Sequence, residues 1–288
     1  MADRVEIFEV GPRDGLQNEA RAIPAADKIA LVDALSGAGF SRIEVASFVS
    51  PKWVPQMAGS GEVLRGIKRA PGVRYAALTP NMRGLTDAIA AGADEVAVFA
   101  SASEGFSRAN INATIAESLA RFTPLLQAAE LQGLPVRGYV SCVVDCPYDG
   151  AVTPGQVAEV AQALWQMGCY EISLGDTIGH ATPEKVDAML AAVGDVVPVA
   201  RLAGHFHDTG GRALANIEAS LARGLRVFDA AAGGLGGCPF APGAAGNVAT
   251  EAVHDRLTAL GFETGLDREV LGRAADMARA MRSGSAKS

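Results

Sequence analysis

The run Val197-Pro198-Val199-Ala200-Arg201-Leu202-Ala203-Gly204-His205-Phe206-His207-Asp208-Thr209-Gly210-Gly211 sets the reading of this chain. It is an apolar strand pattern that ends in two imidazoles and a glycine turn, and the helical spacing Ala213-Leu214-Ile217-Leu221 follows at once. In a strand, residues i and i+2 project to the same face, so both rings can reach one point. Two histidines could also simply line a polar strand end. Their company argues otherwise: the chain has only 4 histidines, and this pair closes a strand where a turn leads into a helix. In alternating β/α architectures that is the end where chemistry collects.

The same strand, turn and helix unit recurs along the whole chain. Short β-branched runs begin at Val5, Arg42, Val73, Glu95, Val136, Tyr170, Val199 and Arg226, each followed by an Ala/Leu-rich helical pattern. Such alternation implies parallel strands joined by crossover helices. Eight units in 288 residues predict an α/β fold with a single (β/α)8 TIM barrel spanning residues 1–288. Pro24, Pro154 and Pro183 lie early in their helices, and Thr153 and Thr182 stand as N-caps before the latter two. Asp267 to Met281 reads as one extra C-terminal amphipathic helix, and 283–288 as a flexible tail. An open doubly wound sheet is the rival. It would usually carry a glycine-rich dinucleotide loop after strand one, where this chain has Gly11-Pro12-Arg13-Asp14-Gly15 instead.

Composition narrows the partners. A chain that is 49% hydrophobic and 20% charged can bury a full core. Net charge −7 and a pI near 5.2 argue against a nucleic-acid partner, which would show a basic face. The cysteines Cys142, Cys146, Cys169 and Cys238 offer neither a disulfide framework nor a Cys-x-x-Cys zinc spacing. Strand-like Val5 to Val10 leaves no room ahead of it for a secretory signal, and no apolar run approaches the ~18 residues of a membrane span. The expectation is a cytoplasmic protein with no membrane contact.

Polar residues gather at the predicted C-terminal strand ends: Arg13 and Asp14 after the first strand, Glu44 and Ser47 late in the second, Asp176 after the sixth. Each has an ordinary structural explanation taken singly, since Asp14-Gly15 is a common turn pair and Asp176 could cap a turn. A barrel closes all of these ends onto one mouth, where unpaired charges are costly unless a ligand or metal compensates them. Cys142 and Cys146 read as packed small hydrophobes. The loop from Gly233 to Asn247 is rich in glycine and carries one thiol, Cys238, a candidate acid or nucleophile. Asn247 is either the N-cap of the helical segment Val248 to Leu260 or an oxygen ligand.

The segments Gly11 to Glu19 (GPRDGLQNE), Ile43 to Met57 (IEVASFVSPKWVPQM), Ser173 to Gly179 (SLGDTIG), Gly204 to Thr209 (GHFHDT) and Gly234 to Asn247 (GLGGCPFAPGAAGN) resemble the hydroxymethylglutaryl-CoA lyases over nearly the whole chain. Those are metal-dependent TIM barrels that cleave 3-hydroxy-3-methylglutaryl-CoA into acetyl-CoA and acetoacetate. The resemblance implies Asp14, His205, His207 and Asn247 as ligands of a divalent cation, Mg²⁺ or Mn²⁺. It implies Arg13, Asp14, Glu44, Asp176, His205 and Cys238 as catalytic groups, Arg13, Gln17 and Ser47 as substrate contacts, an acyl-CoA substrate and a homodimer. Gly210 and Arg212 stand where the family often has an aromatic residue and a glutamine, and Ala20 where it often has a lysine. The small Gly210 suggests room for a bulkier 3-alkyl substituent. A related synthase that condenses an acyl-CoA with an α-keto acid would usually carry a further C-terminal domain and lack the Cys238 loop. A non-catalytic metal scaffold would not need Arg13, Glu44 and Cys238 around the ion.

The implied chemistry suits these groups. Cleavage between C2 and C3 needs a proton to leave the tertiary hydroxyl while charge builds on the departing thioester enolate. Arg13, a permanent cation with a fixed donor fork, suits that enolate oxygen. Asp14 or His205 could take the proton. Cys238, with a thiol pKa of about 8.5, is mostly protonated near neutrality and can return a proton to carbon.

Overall fold

The computed structural model describes residues 3–19, 21–238 and 241–283, with backbone alone for 237–238, 241–244 and 283. Eight strands form the sheet: β1 (Glu6–Glu9), β2 (Arg42–Ser47), β3 (Arg74–Leu78), β4 (Glu95–Ser101), β5 (Val136–Ser141), β6 (Glu171–Asp176), β7 (Leu202–Phe206) and β8 (Val227–Ala230). All pairings among them are parallel and between chain neighbours, and β8 returns to β1 through Glu6↔Val227 to Glu9↔Ala230, which closes the barrel. The helices are α1 (Ala25–Ser36), α2 (Ser60–Gly66), α3 (Met82–Ala91), α4 (Glu104–Ile111), α5 (Ile115–Leu131), α6 (Pro154–Gln166), α7 (Pro183–Gly194), α8 (Ala213–Ala222), α9 (Thr250–Ala259) and α10 (Arg268–Ser283). The expected TIM barrel with an extra C-terminal helix is therefore the architecture, and the open sheet is excluded by closure.

Local sequence explains most boundaries. Thr153 caps α6 in a reciprocal capping box with Gln156, Pro154 sits at the first helical position, and Thr182 caps α7 by accepting the Lys185 amide. Pro24 departs from expectation: its ψ of 149° places it just outside α1. β7 also starts later than the apolar run suggests. Val199–Arg201 form a single 3₁₀ turn, because the neighbouring strand pairs only from Ile172↔Leu202 onward. The residues 284–288 of the predicted tail lie outside the described residues.

Alternation along each strand divides the apolar residues. Val96, Val98 and Ala100 of β4 face outward into the helix layer, buried with Val140, Ile172 and Leu174 of the adjoining strands. Burial of such side chains contributes about 1.5–3 kcal/mol each. Phe8, Ala76, Leu78, Ala97, Phe99 and Tyr139 form separate small clusters inside the barrel. The lower interior is charged, where bulky branched residues usually fill such barrels. Arg42 is held by Glu6 at 2.7 Å and 2.9 Å and by Glu171 at 3.0 Å. Arg137 bonds Glu171 at 2.6 Å and Asp229 at 2.7 Å and 3.0 Å. Pairing is what makes these buried charges tolerable, and the chain of partners runs upward to the functional end.

Candidate active site

β1 ends in one tight turn, Gly11–Gly15, wound so that the amides of Arg13, Asp14 and Gly15 all donate to the Val10 carbonyl. The turn thrusts Arg13 and Asp14 over the C-terminal mouth. β2 carries a bulge between Glu44 and Ala46, so Glu44 pairs with Ala76 and Ser47 with Leu78. Ala76 and Leu78 are two apart and share the inner face, so the bulge brings Glu44 and Ser47 onto that face although they are three apart. From β7 come His205 and, just past its end, His207, with ring centroids 5.4 Å apart. His207 forms an isolated antiparallel bridge with Asn247. The same-face reading of the histidine pair thus holds.

Asp14, His205 and His207 each present a ligand atom within 4.8 Å of the others. The Asp14 carboxylate accepts from Arg13 Nη1 at 2.7 Å and from Asn247 Nδ2 at 2.8 Å, and its Oδ2 lies 4.0 Å from His205 Nε2. Asn247 is not a helix cap, since α9 starts at Thr250 with Ala249 in the cap position. Its amide instead faces Asp14. That approach requires Gly236, at φ +97°, because a β-carbon there would lie 2.9 Å from Asn247 Nδ2.

Electrostatics divide the roles. Burial works to raise the Asp14 carboxyl, but Arg13 and both histidines outweigh it and leave it at about 2. Burial, reinforced by the neighbouring His205, pulls His207 down to about 4, so its imidazole is neutral with a lone pair available. Its Nδ1 is buried without a partner, while a hydrogen bond to the Thr177 backbone holds the ring. Burial opposes protonation of His205, yet the bond to Asp229 and the charges of Asp229 and Asp14 raise it. An acidic oxygen, two nitrogens oriented by their outward bonds, and an adjoining amide fit a divalent cation.

Beside this cluster, Glu44 Oε2 lies 2.6 Å from both Nε and Nη2 of Arg13 and accepts from Tyr139 at 3.2 Å. Burial raises the Glu44 carboxyl despite Arg13. Its Oε1 and the Ser47 hydroxyl are buried without partners, which leaves two polar atoms for a ligand to satisfy. Gln17 lines a cavity of about 460 Å³ between the β1–α1 and β2–α2 loops, with Lys28, Trp53 and Gln56 in the same wall.

Asp176 uses both oxygens to accept the amides of His180 and Ala181, each at 3.0 Å, so it braces the turn before α7 and is not in the metal cluster. At Gly210 a β-carbon would meet the Gly179 carbonyl oxygen at 2.8 Å, so this close approach calls for a glycine. The Cys238 backbone pairs with Ala241 in a two-stranded ladder, while its thiol and Ala20 lie outside the described residues. Cys142 and Cys146 are buried as expected.

Asp229 on β8 went unread in the sequence. It sits 3.1 Å from His205 Nδ1, accepts from Ser173 at 2.8 Å, and is gripped by Arg137. Burial would raise its carboxyl, but Arg137 and His205 hold it well below the usual range. The available signal was phase: Phe228 packs outward, so an acid next to it on a barrel strand must point inward.

A closed barrel whose C-terminal mouth sets one aspartate and two histidines beside an Arg–Glu pair defines a class of barrel enzymes equipped to hold a divalent cation next to a fixed positive charge. The chain belongs to the HMGL-like family, whose profile matches residues 4–278. It is 60% identical over 268 residues, 93% of this chain and 89% of the relative, to a 3-hydroxy-3-isohexenylglutaryl-CoA/hydroxymethylglutaryl-CoA lyase of Pseudomonas aeruginosa. The crystal structure of the HMG-CoA lyase of Brucella melitensis superposes with TM-score 0.97 at 62% identity, covering 98% of this chain and 100% of that one. An HMG-CoA lyase of Acinetobacter baumannii, solved in complex with coenzyme A and 3-methylmalate, superposes at TM-score 0.91 with 36% identity, covering 99% of this chain and 96% of that one.

Proposed function

We propose that this protein is a carbon–carbon lyase that cleaves 3-hydroxy-3-methylglutaryl-CoA to acetyl-CoA and acetoacetate. The observation that carries the reading is the convergence of Asp14, His205 and His207 beside the Arg13–Glu44 pair. We take Asp14, His205, His207 and Asn247 as the residues that would hold Mg²⁺ or Mn²⁺, which when bound acidifies the tertiary hydroxyl and orients the substrate. Arg13 stabilises the thioester oxygen as it becomes enolate, a contact that strengthens only in the transition state. Its bond to Glu44 fixes the guanidinium for that task.

Asp14 or His205 receives the hydroxyl proton as the C2–C3 electron pair passes to C2 and acetoacetate departs. Cys238 then donates a proton to C2, which completes acetyl-CoA. Asp229 fixes the His205 ring from below, and Gln17 and Ser47 join Arg13 in binding substrate. Asp176 is kept among the catalytic groups, its carboxylate held by the two turn amides it accepts. We place the whole chain in one catalytic domain that acts as a homodimer in the cytoplasm, without a membrane or nucleic-acid partner. Among the described residues no helix is long and apolar enough to cross a membrane, and the acidic pI near 5.2 speaks against a nucleic-acid partner.

A second reading, cleavage of a longer 3-alkyl homologue, is favoured by the relative named for both substrates. The test is acetoacetate release from purified protein given a panel of 3-hydroxyacyl-CoAs, before and after chelation. Activity on the methyl substrate that chelation abolishes and Mg²⁺ or Mn²⁺ restores is expected. Undiminished turnover by thoroughly metal-stripped protein overturns the reading.

A further inference from the structure

Glu9 is the last residue of β1 and has no solvent exposure. It belongs to none of the groups assigned to the chemistry, and among the described residues no Lys, Arg or His pairs with it. Its partners are three donors from three different segments. Oε1 accepts the Gly11 amide at 2.8 Å and the Ala232 amide at 2.9 Å, and Oε2 accepts the Thr250 hydroxyl at 2.7 Å. Gly11 opens the turn that carries Arg13 and Asp14. Ala232 follows β8 at the root of the loop that leads to Cys238, and Thr250 lies three residues past Asn247. One carboxylate thus touches the base of every segment, β7 excepted, that supplies the metal cluster or the loop thiol.

A buried charge without a counter-ion is costly, and burial pushes this carboxyl up to about 7 against the pull of its three donors. An acceptor-only group is what those donors need. A glutamine would keep one oxygen for the two amides and turn its NH₂ to the Thr250 hydroxyl, which can also accept, whereas a leucine would leave all three donors without an acceptor. The fold also makes room for the arrangement: a β-carbon at Gly11 would lie 2.5 Å from Glu9 Oε1. From the outer side the same root is held by Glu251, which accepts the Gly233 amide at 3.0 Å and pairs with Arg279 of α10 at 2.5 Å. Gly233, held by Glu251, and Gly234 after it have φ of +68° and +63°.

We propose that Glu9 is a positioning residue that ties the Arg13–Asp14 turn, the root of the Cys238 loop and the Asn247 segment into one unit at the seam where the first and last strands meet. The inference rests on the lyase reading for the meaning of those segments, but its test does not. Glu9→Leu keeps a similar size and removes every acceptor, whereas Glu9→Gln keeps the oxygen that serves the two amides. Thr250→Val removes the third donor alone. Amide hydrogen exchange at residues 11–15 and 232–236 and Mn²⁺ titration calorimetry on the metal-stripped protein are read beside circular dichroism, KM and kcat.

In Glu9→Leu the barrel signal is retained, exchange at Gly11 and Ala232 rises about tenfold or more, and Mn²⁺ binds about tenfold more weakly. kcat falls more than KM changes, and Glu9→Gln stays closer to wild type in exchange and in Mn²⁺ affinity. A folded Glu9→Leu protein with wild-type exchange and Mn²⁺ affinity overturns the proposal. If Glu9→Leu does not fold, Thr250→Val alone decides: faster exchange at Ala232 supports the tie, and unchanged exchange refutes it. A protein without lyase activity that still shows these shifts would sink the proposed reaction and leave the tie standing.

Discussion

Asp229→Asn tests how the site is held. The substitution keeps the shape of the side chain and removes its charge. Arg137 is fully buried and now binds Asp229 at 2.7 Å and 3.0 Å while keeping Glu171 at 2.6 Å. Removing one partner of a buried pair costs about 3–5 kcal/mol. With Glu171 retained, the lower end applies, and a loss of about 3 kcal/mol corresponds to a Tm lower by roughly 6–12 °C.

The second effect is on His205. Arg137 Nη1, Ser173 and His205 all meet Oδ2, whereas Arg137 Nη2 alone meets Oδ1, so the new asparagine keeps its oxygen on the His205 side. His205 Nδ1 then donates to a neutral amide instead of a carboxylate, which makes Nε2, the nitrogen 4.0 Å from Asp14, a less basic ligand. Losing such an outer partner weakens metal binding by about 10–100-fold, or about 1.4–2.7 kcal/mol. Mn²⁺ titration calorimetry on metal-stripped protein measures it, with circular dichroism as the fold control. The double variant Arg137→Met/Asp229→Asn separates the two effects: without an orphaned charge it should regain most of the lost Tm while Mn²⁺ binding stays weak. Folded Asp229→Asn protein that binds Mn²⁺ within about threefold of wild type would refute this account of the histidine.

Cys238→Ala should lower kcat by about 10²–10⁴ with Tm and Mn²⁺ affinity near wild type, because loss of a general acid acts on the chemical step. Steady-state kinetics within about threefold of wild type would remove the thiol from the reaction. Stability should also fall on acidification through His254, whose Nδ1 meets the Thr264 hydroxyl at 2.8 Å and whose pKa burial lowers below 6.5. The unfolded chain then binds the proton more readily than the native one, so this contribution is complete above pH ~6.5 and shrinks below it. Melting curves from pH 8 to 5 should show a shallower acid decline for His254→Gln, and parallel declines would rule the group out.

The sequence by itself determined the barrel and much of its functional end. Alternating periods of two and near 3.6 are local, so eight strands and their helices could be read to within about three residues, and Arg13, Asp14, His205 and His207 stood out because each pair is adjacent or nearly so along the chain. Tertiary structure decided the partners. The Glu44 and Ser47 side chains share a face only through a bulge that appears when β2 pairs with β3. Asp229 reads as an ordinary strand-end acid until closure sets it against His205, 24 residues back, and Arg137, 92 residues back. Asp176 ends its strand as the sequence indicated, and only the fold shows that both its oxygens accept amides of its own turn. Gly210 stands where the Gly179 carbonyl comes too near for a β-carbon, a contact that only the fold reveals. Residue type and period report which face a side chain takes, whereas what meets it on that face depends on register and barrel closure, which are set by contacts far apart in the chain.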